Sequence, residues 1–196
     1  PDLSTGYTLD DNARALVALC MHYEQTANDS DLSLLQTYLY FIQRCLLPSG
    51  RFENYIDQKL HFTDQNRETN LDDANGRAIW ALGFLISKKL VLPLDLITRA
   101  NSIMKFALPH LEEISSTRAM SFIIKGLYYY HQTFKTPETI RIIEKLANRM
   151  VQMYKHESST KWEWFESYLT YANSILPEAL LYAWLVTGNK TYKEIA

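Results

Sequence analysis

Leu9-Asp10-Asp11-Asn12-Ala13-Arg14-Ala15 and Leu71-Asp72-Asp73-Ala74-Asn75-Gly76-Arg77-Ala78 are two versions of one phrase, a Leu-Asp-Asp opening with Arg-Ala about one turn further on. Each follows a polar stretch and runs into residues that are apolar at nearly every position, Ala13 to Tyr23 and Gly76 to Ile86. Carboxylates at a helix start are favoured by about 0.3–1 kcal/mol through the helix dipole. A side chain at the third helical position can also close a capping box. With Thr8 and Asn70 as caps, Asp10 and Asp72 fall second and Asp11 and Asp73 third, so capping accounts for one acid of each pair. The arginine one turn later can hold the other in a fork-shaped contact.

Two further segments are apolar almost all round, Met120 to Tyr130 and Glu178 to Val186, as expected of helices buried on every face. Between them lie amphipathic segments. Leu32, Leu35, Tyr38, Leu39, Ile42 and Leu46 form one stripe at three-to-four spacing. Ile97, Ala100, Met104, Ala107, Leu108 and Leu111 form a second, and Ile140, Ile143, Leu146, Met150, Val151 and Tyr154 a third. The pattern predicts seven helices and the start of an eighth at Lys190, alternating buried and surface-facing. The economical all-α architecture is an α/α toroid of inner and outer helices, here an incomplete ring of about four hairpins in a single domain over 1–196. Its free edges are expected to expose apolar surface or to pair with another copy as a homo-oligomer. Arg14, Arg77 and Arg118 mark related places in three inner helices, separated by 63 and 41 residues.

Inner-to-outer links are short, Gln25 to Ser30 and Lys88 to Leu94. Outer-to-inner links are longer: Leu47 to Asn70 spans 24 residues and carries a candidate hairpin over 51–62, and His156 to Thr170 is rich in aromatics. Long links in compact domains often carry function, and these two approach the N-termini of the inner helices.

The 196-residue chain has a net charge of −2, which leaves no electrostatic footprint for nucleic acid or an anionic membrane. No apolar run reaches the roughly 20 residues a spanning helix needs. Nothing at the start resembles a signal peptide, and the absence of an initiating methionine implies a chain that has been cut. Cys20 and Cys45 share no ligand spacing and read as buried core thiols, favouring a reducing, cytoplasmic setting. His22, His61, His110, His131 and His156 are scattered, no phosphate loop or nucleophile motif occurs, and so neither metal nor cofactor is expected. The acidic pair lacks the further aspartate of the magnesium-binding runs of helical terpenoid synthases.

Five aromatics lie among thirteen residues from Lys161 to Asn173: Trp162, Trp164, Phe165, Tyr168 and Tyr171, interleaved with Glu163 and Glu166. Flat apolar faces beside carboxylates suit a pyranose, which shows C–H faces and hydroxyl edges. A loop that simply folds over the core would read the same way.

Thr5-Gly-Tyr-Thr-Leu-Asp-Asp-Asn-Ala-Arg-Ala-Leu16, preceded by Pro1-Asp2, resembles a helical domain of bacterial carbohydrate proteins that is often fused behind a retaining glycosyltransferase domain. Trp164-Phe-Glu-Ser-Tyr-Leu-Thr-Tyr-Ala-Asn-Ser-Ile-Leu-Pro-Glu-Ala-Leu180 is similar to that family's second signature. The family is related in fold to the six-hairpin glycosidases. The resemblance implies polar mouth residues Asp10, Asp11, Arg14, Asp72, Asp73, Arg77, Glu166, Tyr171, Asn173 and Glu178, and an oligosaccharide or glycan as partner. It also implies a truncated copy, without the usual upstream segment, closing hairpins or transferase domain. The expectation is a glycoside hydrolase-like site with Asp72, Asp73, Glu166 and Glu178 as catalytic carboxylates, since glycosidases use two carboxyl groups across the scissile bond. Asp10, Asp11, Arg14, Arg77, Trp162, Trp164, Tyr171 and Asn173 would bind the substrate. The alternatives are a non-catalytic glycan-binding or scaffolding domain of a glycosyltransferase, and a plain helical-repeat interaction protein.

Overall fold

A computed structural model describes residues 6–196; Pro1, Asp2 and Thr5 of the first signature lie outside the described residues. The chain is mostly helical. Among the described residues seven long helices are present: α1 (Leu9–Thr26), α2 (Ser30–Cys45), α4 (Asp72–Ser87), α5 (Leu94–Ala107), α6 (Thr117–Thr133), α7 (Pro137–Glu157) and α8 (Ile175–Thr187). The eighth expected element is α9 (Lys190–Ile195), and a one-turn helix, α3 (Gln65–Glu68), was not anticipated. None of these helices is long and apolar enough to cross a membrane.

Local chemistry sets the helix ends. Thr8 caps α1, its hydroxyl oxygen accepting from the Asp11 N–H at 3.1 Å. Thr136 caps α7 immediately before Pro137, whose missing N–H costs nothing at a first helical position. Gly188 closes α8 in the left-handed region at φ 73°. The stripe read through Leu108 and Leu111 is interrupted, because Pro109 cannot continue α5. A 3-10 helix, Leu108–Glu113, takes over, and both leucines stay buried.

Helices pack as hairpins: α1 on α2, α4 on α5, α6 on α7 and α8 on α9. The first arms form a row, α1–α4–α6–α8, with α4 against α6 the most extensive contact of the molecule. That contact is parallel, since Gly76 faces Ala119 and Gly83 faces Gly126 along the same direction. The expectation of burial on every face holds for the central pair, where α4 buries Ala74–Gly76 and Ala78–Ile79 and then every residue of 81–86. It fails for the two ends of the row. α8 exposes Leu181 and Leu185, and α1 exposes Met21, because neither has a neighbour on its outer side comparable to those of α4 and α6.

The long link after α2 forms only part of the candidate hairpin, and adds a pairing the sequence did not suggest. Its main pairing is between β2 (Tyr55–Ile56) and β1 (Tyr7–Thr8), which are antiparallel with Tyr7 opposite Ile56. The tip of the candidate hairpin forms as well: Ile56 bridges Phe62, the Asp57 N–H donates to the His61 carbonyl at 2.9 Å, and the Thr63 N–H donates to the Tyr55 carbonyl at 3.2 Å. Buried asparagines replace strand partners here. Asn75 exchanges two hydrogen bonds with the Phe52 backbone, at 2.8 and 2.9 Å. The Asn66 side chain accepts from the N–H groups of Asn54 and Tyr55, both at 2.8 Å. The asparagine of the second Leu-Asp-Asp phrase thus ties the link to α4.

Cys20 and Cys45 are free, buried in the core, and burial pushes both thiols up to about 12. Iodoacetamide is therefore expected to label neither in the native protein at neutral pH and both after denaturation, scored by intact mass. Rapid native labelling of either would contradict the packing of α1 on α2.

Glu112 anchors the 3-10 helix to α7 through Lys145 and Arg141, and these cations hold its carboxyl below the usual glutamate range. A depressed folded-state value means stability that is present above about 4.5, the ordinary value, and lost as pH falls through the folded one. The stability advantage of wild type over Glu112→Gln in urea melts is expected to shrink with acidification over that window.

Candidate functional site

The N-terminal ends of α1, α4 and α6 and the link before α8 (158–174) meet at one end of the row. Asp10, the second residue of α1, is the junction. Arg14 reaches it from one turn along the same helix at 2.9 Å and also holds Asp11 at 2.6 Å. Arg77 of α4 pairs with the other oxygen of Asp10. The same-helix arginine contact expected from the sequence is therefore made in α1 but not in α4, where Arg77 crosses to the neighbouring helix.

The start of α4 also differs by one residue from that of α1. Leu71 occupies the cap position, and the Asn70 side chain accepts from the Asp72 N–H at 2.7 Å, so Asp72 and Asp73 are the first and second helical residues rather than the second and third. Both turn toward α6. Asp72 accepts from the N–H groups of Ser115 and Ser116, each at 3.2 Å, and Asp73 accepts from the Ser116 hydroxyl at 2.6 Å. The second acidic pair supports the cap of the next helix in the row.

Arg118 stands in the first turn of α6, unlike Arg14 and Arg77, which are both sixth in their helices. Its side chain is 8% exposed and ties down the 158–174 link. Nε donates to the Tyr171 carbonyl at 2.6 Å, and the terminal nitrogens donate to Glu166 at 2.8 Å and to the Asn173 side chain at 3.0 Å. The Tyr171 ring lies near both arginines, with its centroid 5.7 Å from the Arg77 guanidinium and 5.1 Å from that of Arg118. Phe122 lies 4.9 Å from Arg77, so that guanidinium contacts two rings while its edge meets Asp10. Trp162 joins through its indole N–H, which donates to the Glu166 carbonyl at 2.7 Å.

Eight of the residues expected at the mouth form one connected network: Asp10, Asp11, Arg14, Arg77, Tyr171, Arg118's partners Glu166 and Asn173, and Trp162. Asp72 and Asp73 lie alongside, at the α4–α6 step. Glu178 stands apart, paired at 2.8 Å with Lys125, which lies two turns along α6 from Arg118 and also sits over the Trp80 ring. Trp164 is less accessible than Trp162. It is half-buried, packed edge-on against Phe165 at 5.5 Å, and its role is to hold the link on the core. The accessible rings of the link are Tyr168, Tyr171 and Trp162; Tyr168 is one of the five aromatics read there but is not among the expected substrate-binding residues.

A cleft of about 400 Å³ beside the α4 start adds Arg51, Glu53 and Glu113 to Asp72. These three carried no signal in the sequence beyond their charge, because Arg51 and Glu53 fall in the stretch read as the first arm of a hairpin and Glu113 ends the 3-10 helix that follows α5. Among the described residues, no group of three or more His, Cys, Asp or Glu side chains could hold a metal ion.

A scan against protein-family models and a search of curated proteins both return no match for this chain.

Proposed function

We propose that this chain is a carbohydrate-binding domain built as an open α/α toroid. In this reading α1, α4, α6 and α8 form the inner wall, α2, α5, α7 and α9 the outer one, and a glycan lies across the inner-helix N-termini. The observation that carries the reading is the network itself: accessible aromatic rings are held beside fixed carboxylates and guanidiniums over three helices and a long link. Such a surface offers stacking to C–H faces and hydrogen bonds to hydroxyl edges without reorganising on binding.

Hydrolysis is the weaker form of the carbohydrate reading. Of the four carboxylates expected to be catalytic, Glu166 and Glu178 are ion-paired, and Asp72 and Asp73 accept hydrogen bonds at the α6 cap. A general acid needs a carboxyl free to give a proton to the leaving oxygen. These four are arranged as acceptors in structural contacts.

The test is titration calorimetry of wild type and Tyr171→Ala against a panel of linear gluco-, manno- and xylo-oligosaccharides. Alanine keeps the carbonyl that Arg118 holds, so the fold should persist while the ring is lost. A binding oligosaccharide whose affinity falls by roughly ten-fold or more in the variant is the expected result. Binding that ignores Tyr171, or no binding across the panel, would count against the proposal.

A further inference from the structure

We infer that the cleft beside the start of α4 is a subsite for an uncharged pyranose unit, an inference that rests on the carbohydrate reading above. The cleft, about 400 Å³, is formed by three separated segments: the link after α2, the first turn of α4, and the Glu113–Ser115 corner that leads into α6. Its size lies within the range of ligand pockets and exceeds what one bridging water requires.

The polar groups around it have unspent capacity of both kinds. Among the described residues the Glu53 carboxylate enters no hydrogen bond or ion pair. Asp72 uses Oδ2 for the two N–H groups of the α6 cap, which leaves Oδ1 to accept. Asn70 uses its carbonyl oxygen on the Asp72 N–H, which leaves its amide to donate. Leu71 and Ile114 supply apolar wall. Acceptors, a donor and an apolar wall around a ring-sized space match the hydroxyls and C–H faces of a sugar.

Charge decides the class. Glu53, Asp72 and Glu113 face one guanidinium, Arg51, and that guanidinium is already paired with Glu113. A uronate or phosphorylated sugar would bring another anion to a site with no free cation, and like charges brought together there disfavour it.

The test titrates wild type, Glu53→Gln and Ser115→Phe with the neutral oligosaccharides of the panel and with an oligogalacturonate, beside Tyr171→Ala. Glu53→Gln removes an acceptor that supports nothing in the fold. Ser115→Phe fills the cleft while keeping the backbone N–H that Asp72 holds, and thermal melts establish that both variants are folded. Neutral binding weakened about ten-fold or more by either substitution, with the oligogalacturonate weaker throughout, is the expected result. Neutral binding lost in Tyr171→Ala but unchanged in both cleft variants would overturn the subsite and leave the carbohydrate reading standing. Preferential binding of the oligogalacturonate would overturn the assignment to uncharged sugars, and no binding by any probe would overturn both.

Discussion

Gly83→Ala is expected to destabilise the protein by about 3 kcal/mol or more, at the upper end of what overpacking costs. A Cβ at Gly83 would lie 2.0 Å from the Gly126 carbonyl oxygen and 2.7 Å from its carbonyl carbon. The obstacle is backbone, so no side-chain rotation can relieve it. The reciprocal change meets the same barrier, since a Cβ at Gly126 would lie 2.4 Å from the Ile79 oxygen. Accommodation requires α4 and α6 to separate, and these two helices share the largest contact in the molecule. For a chain of this length the loss corresponds to a fall in Tm of roughly 6–12 °C, read by differential scanning calorimetry. An unchanged Tm would mean that the helices do not approach this closely. Separation would also move Arg118 relative to Arg77, so the variant should lose order at the mouth as well as stability.

Arg118→Met is expected to cost about 3–5 kcal/mol, the penalty for removing one partner of a buried charged pair. Methionine fills much of the volume but supplies no donor to the Tyr171 carbonyl, Glu166 or Asn173, all three of which Arg118 holds. Glu166 suffers most, since its second carboxylate oxygen is already buried with no hydrogen-bond partner among the described residues. The 158–174 link should then detach, exposing Phe165, which is fully buried in the native fold. Limited proteolysis should cut the variant within 158–174 well before wild type, and urea melts should give the energy. Arg118→Lys should recover only part of the loss, because one ammonium cannot span three acceptors in a planar fork. Equal protease resistance in Arg118→Met would show that the link is held by its aromatic packing instead.

The helices themselves were legible because periodicity and caps act locally. Thr8 caps α1 as its spacing predicts, and the amphipathic stripes of α2, α5 and α7 bury most of the residues read from them, with Leu32, Tyr38, Leu46, Ile140 and Tyr154 half-buried. What was not legible lies in contacts between elements. The two Leu-Asp-Asp phrases look equivalent, yet Arg14 stays on its own helix and Arg77 leaves it, because Arg77 has Asp10 of α1 beside it. Asp72 and Asp73 turn to α6, a partner more than forty residues away that no local pattern announces. Trp162 and Trp164 are similarly close in sequence but differ in exposure, since the position of a ring in a link depends on how the link folds over the core. Asp10, Asp11, Asp72 and Asp73 could be placed together from the sequence because they sit at helix starts. Arg51 and Glu53 were not legible because the conformation of their link is set by buried asparagines whose pairing is invisible in sequence.

Hydrogen–deuterium exchange, with and without the tightest-binding oligosaccharide of the panel, tests the central claim most directly. A glycan lying across the inner-helix N-termini should slow exchange at 69–75, 115–119 and 166–174, while the α1–α2 and α4–α5 links at the far end stay unchanged. Protection confined to the far end, or none at the mouth under saturating sugar, would contradict the account.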